Sequence, residues 1–429
     1  MKKRQADCAQ TAGAVIEIRP VIDKIWAVGE TVDFTALALD KAGRKLESGS
    51  YVLNITHSGG KSLCKPLHVN AALHNPFRFS ARLDEPGFLT VKSTYYRTAG
   101  GKLVKWANLK GVAPSWCGVP VEPEKIRAGM AAPDDFDIFW QNGIEEFKSA
   151  PVVIELDRNT VSAGYDVYKI YVNFPDGSGG IDGFLSIPQQ AGKYPLIAGV
   201  PGAGIGTLDP VPAYVSSIPA IRLWMNVHNF PTADNAVEQK ARYLQYHRSM
   251  PDKKRYCFSQ AYDREKYIFR RVWLAVNRAV NHIVENIECF DGKRVAFVGS
   301  SQGGGSALAL SYLNKHTFCT VVNVPALCDH SGWLLNRRPG WPNLHHAWQG
   351  RADRSACYFD GANFALRIKT PVLMAVGFAD LTSTAASVYA AYNNLPGRKS
   401  IYHMLRAGHT MSAEFAEMAG KFLDEEFER

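Results

Sequence analysis

The sequence predicts an α/β protein with a mostly parallel, doubly wound sheet, preceded by a smaller antiparallel β-sandwich. Two patterns predict this architecture. Over residues 14–113, short stretches of alternating apolar and polar residues are separated by turn residues and show no helical periodicity. From residue 133 onward, short β-branched apolar runs alternate with helical patterns, which is typical of a parallel sheet with helices on both faces. A length of 429 residues also favours two domains, which we expect over 1–117 and 118–429.

The N-terminal region predicts an immunoglobulin-like sandwich. Its strand candidates are residues 15–18, 31–39, 51–55, 77–83 and 89–96, with turn residues at 28–30, 58–60, 85–87 and 100–101. The region contains no obvious catalytic set. Packing or spacing is the simplest role for it, and carbohydrate binding is an alternative that no residue pattern supports.

The remainder of the chain begins with a connector over residues 118–124 and a helix that starts at Asp134, after Pro133. Long helical patterns cover residues 265–288 and 412–427. The strand candidates are residues 166–172, 181–187, 194–200, 220–227, 294–298, 320–324, 371–376 and 400–405. Ligands of such sheets bind beyond the carboxyl ends of the strands.

Residues 299–304 read Gly-Ser-Ser-Gln-Gly-Gly and lie between a predicted strand and a predicted helix. Strand, G-x-S-x-G and helix together indicate a nucleophile elbow, with Ser301 as the nucleophile. A serine hydroxyl needs a base, and in hydrolases of this kind an acid and then a histidine follow after later strands. Asp380 and His409 follow the runs at 371–377 and 400–405, so we predict a Ser301–Asp380–His409 triad.

Other candidates fit the triad less well. His403 lies inside a strand pattern, and His345 and His346 form a polar pair in a loop. Asp360 precedes a predicted strand instead of following one. A tetrahedral intermediate also needs two hydrogen-bond donors, for which we predict the backbone N–H groups of Gln302 and Ala203. Ala203 belongs to the glycine-rich loop 201–206, and a phosphate-binding loop, the rival interpretation, would require a lysine that this loop lacks.

Composition excludes several other classes. The net charge of +9 is modest for this length, and the basic residues are scattered apart from runs at 2–4 and 253–255, so we expect no nucleic-acid partner. No apolar segment approaches the roughly 18 residues of a membrane span. The residues after Lys2-Lys3-Arg4 form no hydrophobic signal core, so either the protein stays in the cytoplasm or an export signal has been removed.

Eight cysteines show no C-x-x-C spacing, and no metal-ligand cluster is visible. We expect buried free thiols, with one or two disulfides as the alternative for an exported protein. We expect neither a metal nor an organic cofactor.

Taken together, several segments of residues 120–429 resemble the acetyl xylan esterase and cephalosporin C deacetylase family. The segments that carry the resemblance are 133–140, 267–273, 299–304, 324–329, 358–360, 363–365, 371–377, Asp380, 390–393 and Gly408-His409. The resemblance implies an α/β-hydrolase fold with Ser301 as nucleophile, His409 as base and Asp380 as orienting acid. It also implies oxyanion donors at Ala203 and Gln302, removal of acetyl groups from xylo-oligosaccharides and other small esters, no cofactor, and assembly into hexamers.

Three positions depart from the family pattern. Residues 226–230 read Asn-Val-His-Asn-Phe in place of Asp-Val-Arg-Gly-Gln, Pro201-Gly202-Ala203 replaces histidine-glycine-tyrosine, and Thr410 replaces a glutamate. These changes alter the walls of the pocket and leave the triad intact.

We therefore expect a serine esterase that deacetylates carbohydrate esters. The alternatives are a prolyl-oligopeptidase-like peptidase, for which the N-terminal region is too short to form a propeller, and a non-catalytic glycan-binding protein.

Overall fold

The computed structural model describes residues 15–40, 42–99, 102–105, 116–157, 160, 162–204, 208, 216–233 and 235–429. The basic run at 2–4, Cys8 and parts of the glycine-rich loop 201–206 lie outside these residues. The architecture confirms the predicted fold class, with an α/β-hydrolase sheet following an N-terminal region of antiparallel sheets.

Among the described residues, the N-terminal region contains eight strands. They are β1 (Val15–Pro20), β2 (Val32–Leu39), β3 (Ser50–His57), β4 (Leu67–Asn70), β5 (Phe77–Ala81), β6 (Gly87–Ala99), β7 (Lys102–Lys105) and β8 (Trp116–Val121). One sheet has the order β1-β2-β5, and the other has the order β4-β3-β6-β7 with β8 also paired to β6. All of these pairs are antiparallel. Because β8 spans 116–121, it crosses the expected boundary at 117 and occupies most of the segment expected to be a connector.

Alternation of buried and exposed residues builds the core between these two sheets. On β2, every second residue from Val32 to Ala38 is buried. Phe34 of this strand stacks on Phe79 of β5 with ring centroids 5.0 Å apart. Tyr51 and Leu53 of β3 contribute from the opposite sheet, so one face of each sheet supplies the core.

In the part of the chain that the structure describes, the second, larger sheet has nine strands. They are β9 (Val152–Leu156), β10 (Tyr165–Asn173), β11 (Gly180–Pro188), β12 (Tyr194–Gly199), β13 (Ile221–Met225), β14 (Phe290–Ser300), β15 (Thr317–Asn323), β16 (Val372–Gly377) and β17 (Lys399–Met404). Their order is β17-β16-β15-β14-β12-β13-β11-β10-β9. The six strands from β17 to β13 are mutually parallel, and β11, β10 and β9 continue the sheet in antiparallel pairs.

Helices cover both faces of this sheet. They are α1 (Phe136–Phe147), α2 (Ala236–Ser249), α3 (Ile268–Asn286), α4 (Gln302–Leu313), α5 (Leu344–Trp348), α6 (Asp353–Ala356), α7 (Gly361–Ala365), α8 (Ala385–Asn394) and α9 (Ala413–Phe427). One core contains α1, α3, α4 and α8, whereas α9 packs on the other face with Phe415, Leu423 and Phe427. Within the described ranges, no helix has both the length and the apolar character needed to cross a membrane.

The two regions meet beside the loops that follow β15 and β16. Phe88 of β6 points into the core of the larger sheet, where its ring lies 5.1 Å from Phe378 and 5.7 Å from Tyr389. The next residue, Leu89, belongs instead to the core of the sandwich. A single strand therefore contributes side chains to both hydrophobic cores.

A turn of the sandwich, residues 58–61, pairs through its backbone with the loop 336–338. The Arg338 N–H donates to the Ser58 carbonyl (3.3 Å), and the Lys61 N–H donates to the Asn336 carbonyl (2.9 Å). A Cβ at Gly60 would lie 2.3 Å from the Asn336 carbonyl oxygen, so a larger residue does not fit without a backbone shift. The turn and this loop are thus in close backbone contact.

Candidate active site

Ser301 sits at the sharp turn between β14 and α4. Its backbone has φ 57° and ψ −121°, a conformation that non-glycine residues rarely adopt and that costs of order 1–3 kcal/mol. Three backbone hydrogen bonds hold it there. The Ser301 N–H donates to the Asn323 carbonyl (2.9 Å), and the Ser301 carbonyl accepts from Ala326 (2.8 Å) and Gly305 (3.0 Å). The strained conformation belongs to the nucleophile elbow that the motif predicts.

The glycines of the elbow are required by close packing of the backbone. A Cβ at Gly303 would lie 2.3 Å from the Val200 carbonyl oxygen, and one at Gly299 would lie 2.2 Å from Gly303. The absence of side chains lets α4 begin directly beneath the serine. The first N–H groups of a helix have no partner within the helix, so they remain free to bind negative charge near Ser301.

His409 lies between the other two predicted triad residues. Its Nε2 is 2.7 Å from Ser301 Oγ, and its Nδ1 is 2.7 Å from Asp380 Oδ2. The Asp380 side chain is fully buried, whereas 28% of the His409 side chain is exposed. The three side chains therefore form one hydrogen-bonded chain that runs from a buried carboxylate to an accessible hydroxyl.

Further hydrogen bonds fix the two loops that carry the acid and the histidine. The second carboxylate oxygen of Asp380 accepts backbone N–H groups from Thr382 (2.7 Å) and Ser383 (3.0 Å). Asn323, at the end of β15, donates through its side chain to Ser300 Oγ (2.8 Å) and to the Thr410 carbonyl (3.2 Å). The buried Asn323 amide thus links the serine strand to the histidine loop, a connection that sequence spacing did not indicate.

The predicted oxyanion donors belong to two different segments near Ser301. Gln302 is the first residue of α4, and Ala203 lines the same cavity as Ser301. The Gln302 side chain makes two hydrogen bonds of its own. It accepts one from the Tyr256 hydroxyl (2.6 Å) and donates one to the Pro201 carbonyl (3.3 Å). It therefore ties α4 to the loop that carries Ala203, whereas the sequence had indicated only its backbone.

A cavity of about 300 Å³ opens beside the triad. It is lined by Ala203, Gly204, Tyr243, Arg255, Tyr256, Cys257, Ser301, Trp341, Thr382 and His409. A larger cavity of about 620 Å³ lies near β10 and β11, and another of about 380 Å³ lies between the sandwich and β17. Neither contains a triad residue, so the chemistry of the lining and not the volume identifies the candidate site.

The segment 226–230, which departs from the family pattern, supports the loop behind this cavity. His228 is buried, its ring stacks on Phe230 at 5.2 Å, and its Nε2 lies 3.3 Å from the Gly204 carbonyl oxygen. Burial lowers the pKa of His228 to about 4, so the imidazole is neutral at physiological pH. The histidine therefore fills space under the loop without adding a charge.

The other candidate residues, His403, His345 and Asp360, have hydrogen-bond partners outside the predicted triad. His403 Nε2 lies 2.7 Å from the Tyr389 hydroxyl, and His345 pairs with Asp353 at 2.9 Å. Asp360 is buried and caps α7, so it precedes a helix and not the expected strand. Its carboxylate accepts the N–H groups of Asp329 and His330, both at 2.7 Å. Each of these side chains is engaged away from Ser301.

The seven cysteines within the described residues are free thiols, and five of them are buried. In the same part of the chain, no group of three or more histidine, cysteine or acidic side chains has the geometry of a metal site.

Comparison with known proteins places the chain in a family. Residues 121–425 match the acetyl xylan esterase (AXE1) family. The acetyl esterase Axe7A of Xylanibacter ruminicola is 30% identical over 291 residues, which cover 66% of this chain and 64% of that protein. The match thus spans less than two thirds of the length of this relative.

Two solved structures share the fold of the larger region. The acetyl xylan esterase from Paenibacillus sp. R4 has 23% identity and a TM-score of 0.59, and the match covers 71% of this chain and 98% of that one. Acetyl xylan esterase 1 from Thermoanaerobacterium sp. JW/SL YS485 has 23% identity and a TM-score of 0.57 with the same coverage. The chain studied here belongs to the acetyl xylan esterase family.

Proposed function

We propose that the protein is a serine carboxylic ester hydrolase that removes acetyl groups from carbohydrate esters, acetylated xylo-oligosaccharides among them, through an acyl-enzyme. The observation that carries this proposal is the position of His409, which lies 2.7 Å from both Ser301 Oγ and Asp380 Oδ2. Membership of the acetyl xylan esterase family supports the acetyl ester as the bond that is cleaved.

In the proposed first half-reaction, Ser301 Oγ attacks the acetyl carbonyl carbon while His409 Nε2 accepts the hydroxyl proton. The backbone N–H groups of Gln302 and Ala203 bind the oxyanion of the tetrahedral intermediate. The imidazolium then donates its proton to the leaving sugar oxygen as the carbon–oxygen bond breaks. The products of this half-reaction are the free alcohol and an acetyl ester of Ser301.

In the second half-reaction, water takes the place of the sugar. His409 removes a proton from the water as its oxygen attacks the acetyl-serine carbonyl, and the same proton returns to Ser301 Oγ when acetate leaves. Asp380 keeps the Nδ1 proton of His409 pointed away from the serine and stabilises the imidazolium in both halves. The buried carboxylate, bound by two backbone N–H groups, is suited to that task.

Hydrolysis of 4-nitrophenyl acetate and of acetylated xylo-oligosaccharides by wild type and Ser301→Ala tests the proposal. We expect wild-type activity on both substrates and a loss of roughly a millionfold in kcat in the variant. Ser80→Ala, an exposed serine on β5 that donates only to Asp33, is the matched control and keeps wild-type rates. Full activity of Ser301→Ala would refute the mechanism, and activity on the chromogenic ester alone would remove xylan as the target.

A covalent probe tests the assignment of the nucleophile separately. Diethyl 4-nitrophenyl phosphate transfers a diethylphosphoryl group to activated serines, so mass spectrometry of a digest should find that group on the peptide containing Ser301. We expect one equivalent of 4-nitrophenol per folded chain and none from Ser301→Ala. Labelling of a different residue would contradict the assignment of the nucleophile.

A further inference from the structure

The basic run at residues 253–255 has no role in the proposed mechanism, and its three cations have different surroundings. Lys253 is exposed. Lys254 Nζ donates to the Ala347 carbonyl (3.0 Å) and lies 4.6 Å from the centre of the Trp348 ring, so its charge is engaged on the protein. Arg255 is the member of the run that lines the cavity containing Ser301 and His409.

Hydrogen bonds hold the backbone at Arg255 to the residues that follow it. Its carbonyl accepts the N–H groups of Phe258 (2.8 Å) and Ser259 (3.0 Å). The next residue, Tyr256, is buried and donates to the side chain of Gln302 beside the nucleophile. The guanidinium lies 5.3 Å from the centre of the Phe258 ring, a contact that orients the group without neutralising it. The cation is therefore presented from an ordered wall of the site.

Arg255 has no counterion among the residues that the structure describes, where no carboxylate lies within salt-bridge distance of it. Other arginines of the same region are paired, Arg264 with Asp135 at 2.7 Å and Arg270 with Glu146 at 2.8 Å. The described lining of the cavity also contains no aspartate or glutamate. Asp380 lies behind His409, and its oxygens are already bound.

The neighbouring groups do not compensate for this charge. Burial, and then the positive charge of Arg255, lower the pKa of His247, and an imidazole carries no negative charge in either protonation state. Tyr243, Trp341 and Thr382 are uncharged. An uncompensated cation in a concave site attracts anions more strongly than the same cation on an open surface.

From this arrangement we infer that Arg255 makes the cavity selective for acetyl esters whose carbohydrate part carries an anionic group, a carboxylate or a sulfate. The inference rests on the proposed esterase activity and deepens it. A guanidinium presents a planar fork of donors that matches either anion. The acetyl ester is neutral, so the contact is made to the alcohol part. Because that contact is present before and during the reaction, it lowers KM and leaves kcat unchanged.

Matched substrates test the inference in the full-length protein. We would compare a 3-O-acetyl methyl glucuronide as the free acid with its methyl ester, and a 3-O-acetyl methyl glucoside 6-sulfate with the unsulfated glucoside, following acetate release. We expect kcat/KM to be about tenfold higher for each anionic member, as for one charge-assisted contact, with the difference in KM. At about 0.5 M sodium chloride this preference should shrink severalfold.

Variants then assign the preference to one side chain. In Arg255→Gln we expect the preference to disappear, because KM should rise by a larger factor for the anionic substrates than for their neutral partners. Arg255→Lys should retain part of it. Arg248→Gln, which removes a nearby arginine of α2 whose side chain donates to the Leu244 carbonyl, is the charge-matched control and should keep the full preference.

Three results would overturn the inference: equal kcat/KM for acid and methyl ester in wild type, an unchanged preference in Arg255→Gln, or a fall of the neutral and anionic rates by the same factor in that variant. A preference for the carboxylate without one for the sulfate would support the inference for uronic acids alone. The proposed esterase is judged independently, because hydrolysis of 4-nitrophenyl acetate that depends on Ser301 stands whatever the charge preference.

Discussion

The larger sheet and the N-terminal sandwich both contact the segment that contains Asp380, but they do so with different parts. The sheet supplies side chains from the loops after its strands, because β14, β16 and β17 are followed by Ser301, Asp380 and His409. The sandwich supplies the backbone of the turn 58–61, which lies against residues 336–338 and Leu381. The side chains of the proposed triad therefore all come from the region of the larger sheet, whereas the sandwich makes backbone hydrogen bonds to a neighbouring loop.

Hydrogen bonds connect the contact surface of the sandwich with the cavity. The Arg338 carbonyl accepts from the Thr384 hydroxyl (3.1 Å), and the Trp341 N–H donates to the Thr382 carbonyl (2.9 Å). Trp341 and Thr382 both line the cavity, and the Thr382 N–H also binds the Asp380 carboxylate. A displacement at residues 336–338 can therefore be transmitted to Asp380, the acid of the proposed triad, through a few hydrogen bonds.

The largest expected effect on activity comes from Asp380→Asn, which changes a residue of the larger-sheet region and leaves the sandwich unchanged. The amide would donate to His409 Nδ1 and hold the wrong tautomer, so we expect kcat for 4-nitrophenyl acetate to fall roughly ten-thousandfold. Asp353→Asn is the matched control, because Asp353 also pairs with a histidine, His345. Comparable losses in both variants would mean that general damage, and not the tautomer, causes the effect.

An intermediate effect on stability and activity is expected from Gly60→Ala, which changes the turn 58–61 of the sandwich and leaves the larger sheet unchanged. The new Cβ must displace the Asn336 carbonyl, so we expect unfolding to become easier by about 1–3 kcal/mol and kcat/KM per active site to fall severalfold. Thermal unfolding measures the first quantity, and rates normalised to the 4-nitrophenol burst measure the second.

The control for that variant is Gly43→Ala in the same region. Gly43 has φ +78° with open space around it, so alanine there strains the backbone without touching the loops of the larger sheet. We expect a cost of about 1 kcal/mol in stability and unchanged kcat/KM. If Gly43→Ala lowers the rate per active site as much as Gly60→Ala does, the contact at 336–338 is not the cause.

The smallest expected effect is on the pH dependence of stability, and it comes from His228 in the larger-sheet region. The pKa of His228 is about 4 in the folded state, below the value near 6.5 of an unfolded chain, so only the unfolded state takes up a proton between these values. This group therefore reduces stability as pH falls from 6.5 towards 4, by roughly 2–3 kcal/mol at most. His228→Phe, which keeps the ring packing, should flatten that part of the profile in urea unfolding at several pH values. An unchanged slope would contradict a buried neutral imidazole.

Much of the larger sheet could be predicted because parallel strands buried on both faces appear as continuous apolar runs. The run at 371–376 corresponds within one residue to β16, which is buried throughout. The run at 400–405 corresponds within one residue to β17, an edge strand that is only partly buried. Ser301, Asp380 and His409 could be predicted as a triad because each lies within a few residues after such a run. The motif at residues 299–304, between a strand and a helix, involves only residues that are close in sequence, so it can be recognised from the sequence alone.

The features that were missed depend on contacts distant in sequence. The residues of β8 from Cys117 to Val121 are all buried, since one face packs in the sandwich and the other lies against the larger region, so no alternation marked a strand. Tyr256 reaches Gln302 across 46 positions, and Asn323 reaches Thr410 across 87. Nothing in the local pattern around Tyr256 or Asn323 signals these partners.

The orientation of Phe88 has a consequence for moving this catalytic region into other proteins. A fragment that begins after β8 would contain most of the family match, yet it would lack the ring that packs against Phe378 and Tyr389. The exposed apolar surface would lie just beyond β16, two residues before Asp380. The region of the larger sheet therefore cannot be transferred to another protein without exposing this surface. A fusion that omits β6 would need another apolar side chain in the place of Phe88.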